Sequence, residues 1–91
     1  MDDYTITFAR SARKELENLD SASVGNIFSR IEKLAEVPRP RGCSKIQGRK
    51  NLWRIREGKY RIIYSVDDKK RLIDIIAIRH RREAYRAMRF S

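Results

Sequence analysis

Six side chains in the second half of this sequence have the types and spacing for work on a phosphate: Arg54, Arg56, Arg61, His80, Arg81 and Tyr85. An arginine presents a planar fork of donors that suits phosphate oxygens, and clustered guanidinium groups repel one another unless an anion sits among them. Around a phosphoryl centre such a cluster stabilises developing negative charge. Arg61 is the most telling member. It stands inside the apolar run 60–64, where a strand meant only for packing rarely spends a charge. His80 is the sole side chain whose ordinary pKa, about 6.5, lies near neutrality, which makes it a candidate proton acceptor. One histidine and one cysteine, with no carboxylate cluster at ligand spacing, do not compose a usual zinc or magnesium site. The four glycines are scattered and form no phosphate-cradling loop. An enzyme built on these residues is expected to work without metal or cofactor.

The elements that must position these groups follow from periodicity. Residues 52–57 alternate apolar and basic, 57–59 interrupt with a glycine, and 60–66 resume with tyrosine, isoleucine and valine. Two runs of period two around such a break predict a β-hairpin. Alternation puts Arg54 and Arg56 on one face, with Trp53 and Ile55 on the other. The almost wholly apolar run 72–78 predicts a third consecutive strand, internal to the sheet and interrupted only by Asp74. Upstream, Tyr4, Ile6 and Phe8 alternate with threonines to predict a strand over 3–8. A helix capped by Ser11, or with Arg10 already in its first turn, carries the stripe Ala12, Leu16 and Leu19 to about Asp20. A second helix, entered at Ser21 or Ser23, buries Val24, Ile27, Phe28, Ile31, Leu34 and Ala35 and stops at Pro38. Residues 37–51, rich in proline, glycine and basic side chains, predict a long irregular loop pinned by Ile46 and Leu52. Residues 79–81 predict a loop, and 82–89 a short C-terminal helix. The expected fold class is α+β, one domain over 1–91. It has a small antiparallel sheet, the N-terminal strand plus a three-stranded meander, two N-terminal helices on one face and the basic face open.

Charge narrows the function classes. Residues 1–37 hold five basic and seven acidic side chains, whereas 38–91 hold seventeen basic and five acidic. Such a half neutralises phosphates and releases their counterions, so a polyanionic partner is expected. Arg39, Arg41, Lys45, Arg49, Lys50, Arg79 and Arg82 are the candidate contacts to that polyanion around the central cluster, and RNA contacts if the resemblance described next holds. No apolar run approaches the roughly 20 residues of a membrane span. The lone Cys43 and the acidic N-terminus point to the cytoplasm.

The segments Y-T-I-T-F, W-R-I-R-E-G-K-Y-R-I-I-Y and I-R-H-R-R-E-A-Y-R together resemble the RelE/ParE superfamily of bacterial toxins, particularly its RelE-type mRNA interferases. The resemblance spans Tyr4 to Arg86. It implies a monomeric toxin of a type II toxin–antitoxin module that enters the ribosomal A site, contacts 16S rRNA, cleaves mRNA and is neutralised by a cognate antitoxin. Cleavage in such members is attack of a ribose 2′-hydroxyl on the adjacent phosphate. By resemblance Arg54 and Arg56 take the places of a basic pair that is often lysine, and Arg61 that of the arginine steadying the phosphorane. Arg81 takes that of the proposed general acid, and Tyr85 that of the aromatic that stacks on the mRNA base. An arginine at position 56 is a poor proton acceptor, because a guanidinium keeps its proton throughout the ordinary pH range. His80 is the natural substitute; Glu57 is a second candidate whose strand parity points it away from Arg54 and Arg56. The ParE-type branch, which inhibits DNA gyrase, and a non-catalytic RNA-binding module are the competing readings.

Overall fold

The structure, a computed structural model, describes residues 3–80. The predicted C-terminal helix and the candidates Arg81, Arg82 and Tyr85 lie outside them. In chain order the described elements are β1 (Thr5–Phe8), α1 (Arg10–Glu17), α2 (Ser21–Glu36), β2 (Ser44–Lys45), β3 (Leu52–Glu57), β4 (Tyr60–Asp67) and β5 (Leu72–His80). They form an α+β unit whose sheet runs β1-β5-β4-β3-β2.

The hairpin and the third strand stand as the alternation predicts. Gly58 takes φ +60° as the first of the two turn residues between Glu57 and Tyr60, where a left-handed backbone matches the twist of the flanking strands. Ile55, Ile62, Tyr64, Val66, Ile73, Ile75 and Ile78 form one face of the sheet and close the main core against Ala12, Leu16, Ile27, Ile31 and Leu34 of the helices. Burial of each of these isoleucine, leucine and valine side chains stabilises by about 1.5–3 kcal/mol. Tyr64 is fully buried, so its hydroxyl needs a partner, and it donates to the Pro38 carbonyl at 2.7 Å. On the opposite face Ile46 packs with Ile63 and Ala77 beside Leu52 and Ile76, pinning the 37–51 loop as expected.

Several expectations are corrected. The sheet is mixed rather than antiparallel, because β1 runs parallel to β5, Thr5 opposite Leu72 and Phe8 opposite Ile75. Periodicity reports a strand's faces and carries nothing about its direction. The loop holds a short strand, β2, antiparallel to β3, made of two polar residues too few to show alternation. Ser11 is not the cap of α1; Ala9 is, with no side-chain bond, and the helix ends at Glu17. The Ser11 hydroxyl instead donates to the Ile76 carbonyl at 2.9 Å. Asp20 caps α2 by accepting from the Ser23 amide at 3.1 Å. Phe28 is not buried but 41% exposed, and its ring meets Phe8 at 5.8 Å. Arg79 and His80 belong to β5 rather than to a loop. Asp74, the polar interruption in β5, accepts from Thr7 at 2.9 Å, its partner across the parallel ladder.

Asp68, in the turn after β4, clasps three segments. It accepts two bonds from Arg39, at 3.2 and 2.8 Å, and one from the Tyr4 hydroxyl at 2.6 Å. These donors, Arg39 first and then Tyr4, hold the Asp68 carboxyl below its ordinary value. A depressed carboxyl contributes stability above its unfolded pKa, about 3.9, and loses it as pH falls through the lower folded value. The thermal midpoint of Asp68→Asn is expected to lie below the parent's by a constant gap above about pH 5 that closes in stronger acid. Parallel curves down to about pH 2 would show that the clasp carries no stability.

Candidate active site

Register decides which charges meet. Arg56 stands opposite Arg61 on β4, and Arg61 opposite Arg79 on β5. Directly opposed residues point to the same face, with Cβ atoms about 4.5–5.5 Å apart. Because Ile55 and Ile62 face the helices, the next residues along, Arg56 and Arg61, face away from them. The result is a row of three arginines across three strands at the hairpin end of the sheet, with Arg54 one row behind, opposite Ile63. Arg56 is exposed, whereas Arg54, Arg61 and Arg79 are half-buried. Like charges gathered on one face repel. An oxyanion over the row converts that repulsion into attraction.

The row is held from below and from one end. Arg61 donates to the carbonyl of Tyr60 at 3.3 Å. Arg79 pairs with Glu15 of α1, whose other carboxylate oxygen accepts from the Ile78 amide at 2.8 Å. Here α1 stands where β1 has ended: the ladder to β1 stops at Ile75, and Ser11 and Glu15 satisfy the β5 edge beyond it. Glu15 was not legible as functional. The available signal is its place three residues after Ala12 and just before Leu16, flanking the buried stripe.

His80 does not share the arginine face. It stands opposite Tyr60, in the row that packs toward the helices, and the two rings meet edge-on at 5.8 Å. Glu57 occupies the same row and pairs with Arg30 of α2 at 3.6 Å. The structure thus gathers Arg54, Arg56, Arg61 and Arg79 and sets both candidate bases on the other side. Among the candidate RNA contacts, Arg39 is bound to Asp68 and lies over the Trp53 ring at 5.1 Å. Arg41, Lys45, Arg49 and Lys50 are exposed along the loop. Among the described residues no three His, Cys, Asp or Glu side chains are grouped to hold a metal ion.

Glu15 serves both a backbone amide and a guanidinium, and hydrogen bonds to charged groups are worth about 1.5–3 kcal/mol. Glu15→Ala is expected to lower the unfolding free energy by about that amount in urea titrations. A change below about 0.5 kcal/mol, the size of an ordinary surface substitution, would contradict the anchoring role.

With this geometry in place, three relatives of known structure can be set beside the chain. The RelE toxin in the archaeal RelE–RelB complex from Pyrococcus horikoshii is 30% identical, with a TM-score of 0.78 over 87% of this chain and 96% of that one. The matching chain of the RelBE2 toxin–antitoxin complex from Mycobacterium tuberculosis is 26% identical, with a TM-score of 0.76 over 87% and 99%. That of the intact Escherichia coli RelBE complex is 26% identical, with a TM-score of 0.74 over 82% and 93%. All three were crystallised as toxin–antitoxin complexes. No curated protein sequence matches the chain. The profile of the ParE toxin of type II toxin–antitoxin systems, parDE, matches residues 6–85. With that profile spanning most of its length and the fold shared with RelE toxins, the chain belongs to the RelE/ParE superfamily as a toxin of type II toxin–antitoxin systems.

Proposed function

We propose that the chain is a RelE-type endoribonuclease that acts in the cytoplasm, cutting mRNA in the ribosomal A site, and that a cognate antitoxin restrains it. The observation that carries this reading is the cross-strand row Arg56–Arg61–Arg79, with Arg54 behind it, on the sheet face that the helices leave open. In the reaction the ribose 2′-hydroxyl gives up its proton to solvent water and its oxygen attacks the adjacent phosphorus. The bond to the 5′-oxygen breaks, leaving a 2′,3′-cyclic phosphate and a 5′-hydroxyl. Negative charge grows on the non-bridging oxygens of the phosphorane. Arg61, centred between Arg56 and Arg79, is the side chain best placed to answer it, so most of the catalysis is positioning and electrostatics. By family resemblance Arg81 supplies the proton to the leaving oxygen and Tyr85 stacks on the base. His80 stands in the Tyr60 row, on the other side of the sheet from the arginines, so its part in this reading is to position the end of β5.

One observation favours a second reading: the matching profile is that of the ParE toxin. In that case the same basic face would contact DNA gyrase and cut nothing.

The two separate in a single pair of assays. Arg61→Ala is expected to slow mRNA cleavage in translating ribosomes by about 10²–10³-fold while keeping most of its ribosome affinity, and the parent is expected to leave gyrase supercoiling intact. Supercoiling that stops while mRNA stays uncut would replace the nuclease by the gyrase inhibitor. Loss of ribosome binding in proportion to loss of effect would reduce the row to an RNA-binding surface.

A further inference from the structure

The 37–51 loop follows β3 for two residues only, Lys45 opposite Trp53 and Ser44 opposite Arg54. Continued, that ladder would bring Gly42 opposite Arg56. Instead the chain leaves the sheet, with Gly42 at φ +96°, a conformation that side-chain-bearing residues resist. Where it peels away, a concavity of about 360 Å³ opens, lined by Arg30, Gly42, Ser44, Arg54 and Arg56. The Ile46 amide donates to the Leu52 carbonyl at 2.9 Å. By the alternation of an antiparallel ladder, the backbone groups of Arg54 and Arg56 therefore face this same edge.

We infer that this concavity is a second anion site, which holds a backbone phosphate of a single-stranded polynucleotide next to the one over the arginine row. Its donors come from three segments. Arg30 reaches it from α2, in the acidic half of the sequence, Ser44 from the loop, and Arg54 and Arg56 from β3. Among the described residues no carboxylate lines it. Glu57 approaches Arg30 Nε only at 3.6 Å, beyond hydrogen-bond distance. Three arginines lining one hollow favour an anion with several acceptor oxygens, which a phosphodiester supplies. Continuity selects a polynucleotide over an acidic peptide. Arg56 belongs both to this hollow and to the row, so a chain carrying a phosphate at every residue can occupy both at once. The choice of RNA as that polynucleotide rests on the nuclease reading.

The test is binding of the chain to a fluorescent single-stranded RNA carrying 2′-O-methyl groups throughout, titrated across sodium chloride concentrations. Without an attacking hydroxyl this RNA reports binding alone, so the hollow stands or falls whether or not the chain proves to be a nuclease. For a single strand, each phosphate the protein neutralises adds about 0.7 to the magnitude of the slope of log affinity against log salt. Arg30→Gln is expected to flatten the slope by about that amount and to weaken binding several-fold at low salt. Glu57→Gln frees Arg30 from its carboxylate and is expected to shift affinity the opposite way, toward tighter binding. Lys14→Gln removes the same charge from α1 and is expected to keep the parent's slope. The inference is overturned if Arg30→Gln behaves like Lys14→Gln, or if Glu57→Gln leaves affinity unchanged. It is also overturned if Arg30→Gln spares RNA and weakens only capture by a purified acidic antitoxin, which would assign the hollow to the protein partner.

Discussion

The need to bury one face of β3, β4 and β5 governs everything else in this molecule. Ile55, Ile62 and Ile78 stand opposite one another across the three strands and are essentially sealed under the helices. A slip of one residue in any strand would expose that set. Once these isoleucines are inside, the residue beside each on the hairpin side, Arg56, Arg61 and Arg79, is driven to the other face at the same level. The concentration of like charge is thus a consequence of the apolar register, and the core stabilises what electrostatics alone would disperse. Glu15 offsets part of that repulsion at the β5 end.

The same reasoning separates what could be read from the residues and what could not. Strand faces were legible because a period of two is written into Leu52 to Val66, and the division between Arg54 and Arg56 on one side and Trp53 and Ile55 on the other follows from it. Partners and directions were not legible. The parallel pairing of β1 with β5 depends on how the helical hairpin carries the chain back over the sheet. The strand ending at His80 also escaped, because the basic run from Arg79 looks like a loop until it is seen that Arg79 completes a row begun on β3. That placement moved His80 to the helix side, which no composition signal announced. Glu15 and Arg30 share a further blind spot. Each lies three residues after a buried position of its helix and one before the next, so it reads as a solvated flank while its tip reaches the sheet.

Two of the loop's basic residues illustrate how geometry sorts an undifferentiated charge run. Arg39 is held by Asp68 and lies over Trp53, so it fastens the loop to the body of the protein. Lys45 stands exposed on β2, available to a polyanion. The loop is therefore a strap with an exposed basic outer side, its fixed end at Arg39 and its departure at Gly42 together shaping the hollow beside β3.

The central claim is that a single scissile phosphate sits over the arginine row. It is tested most directly by a structure of the chain bound to a short RNA whose attacking 2′-hydroxyl is replaced by hydrogen. The account predicts non-bridging oxygens of one phosphate about 2.7–2.9 Å from guanidinium nitrogens of both Arg61 and Arg56. An RNA seated across the helices, with no phosphate within reach of Arg61, would contradict it.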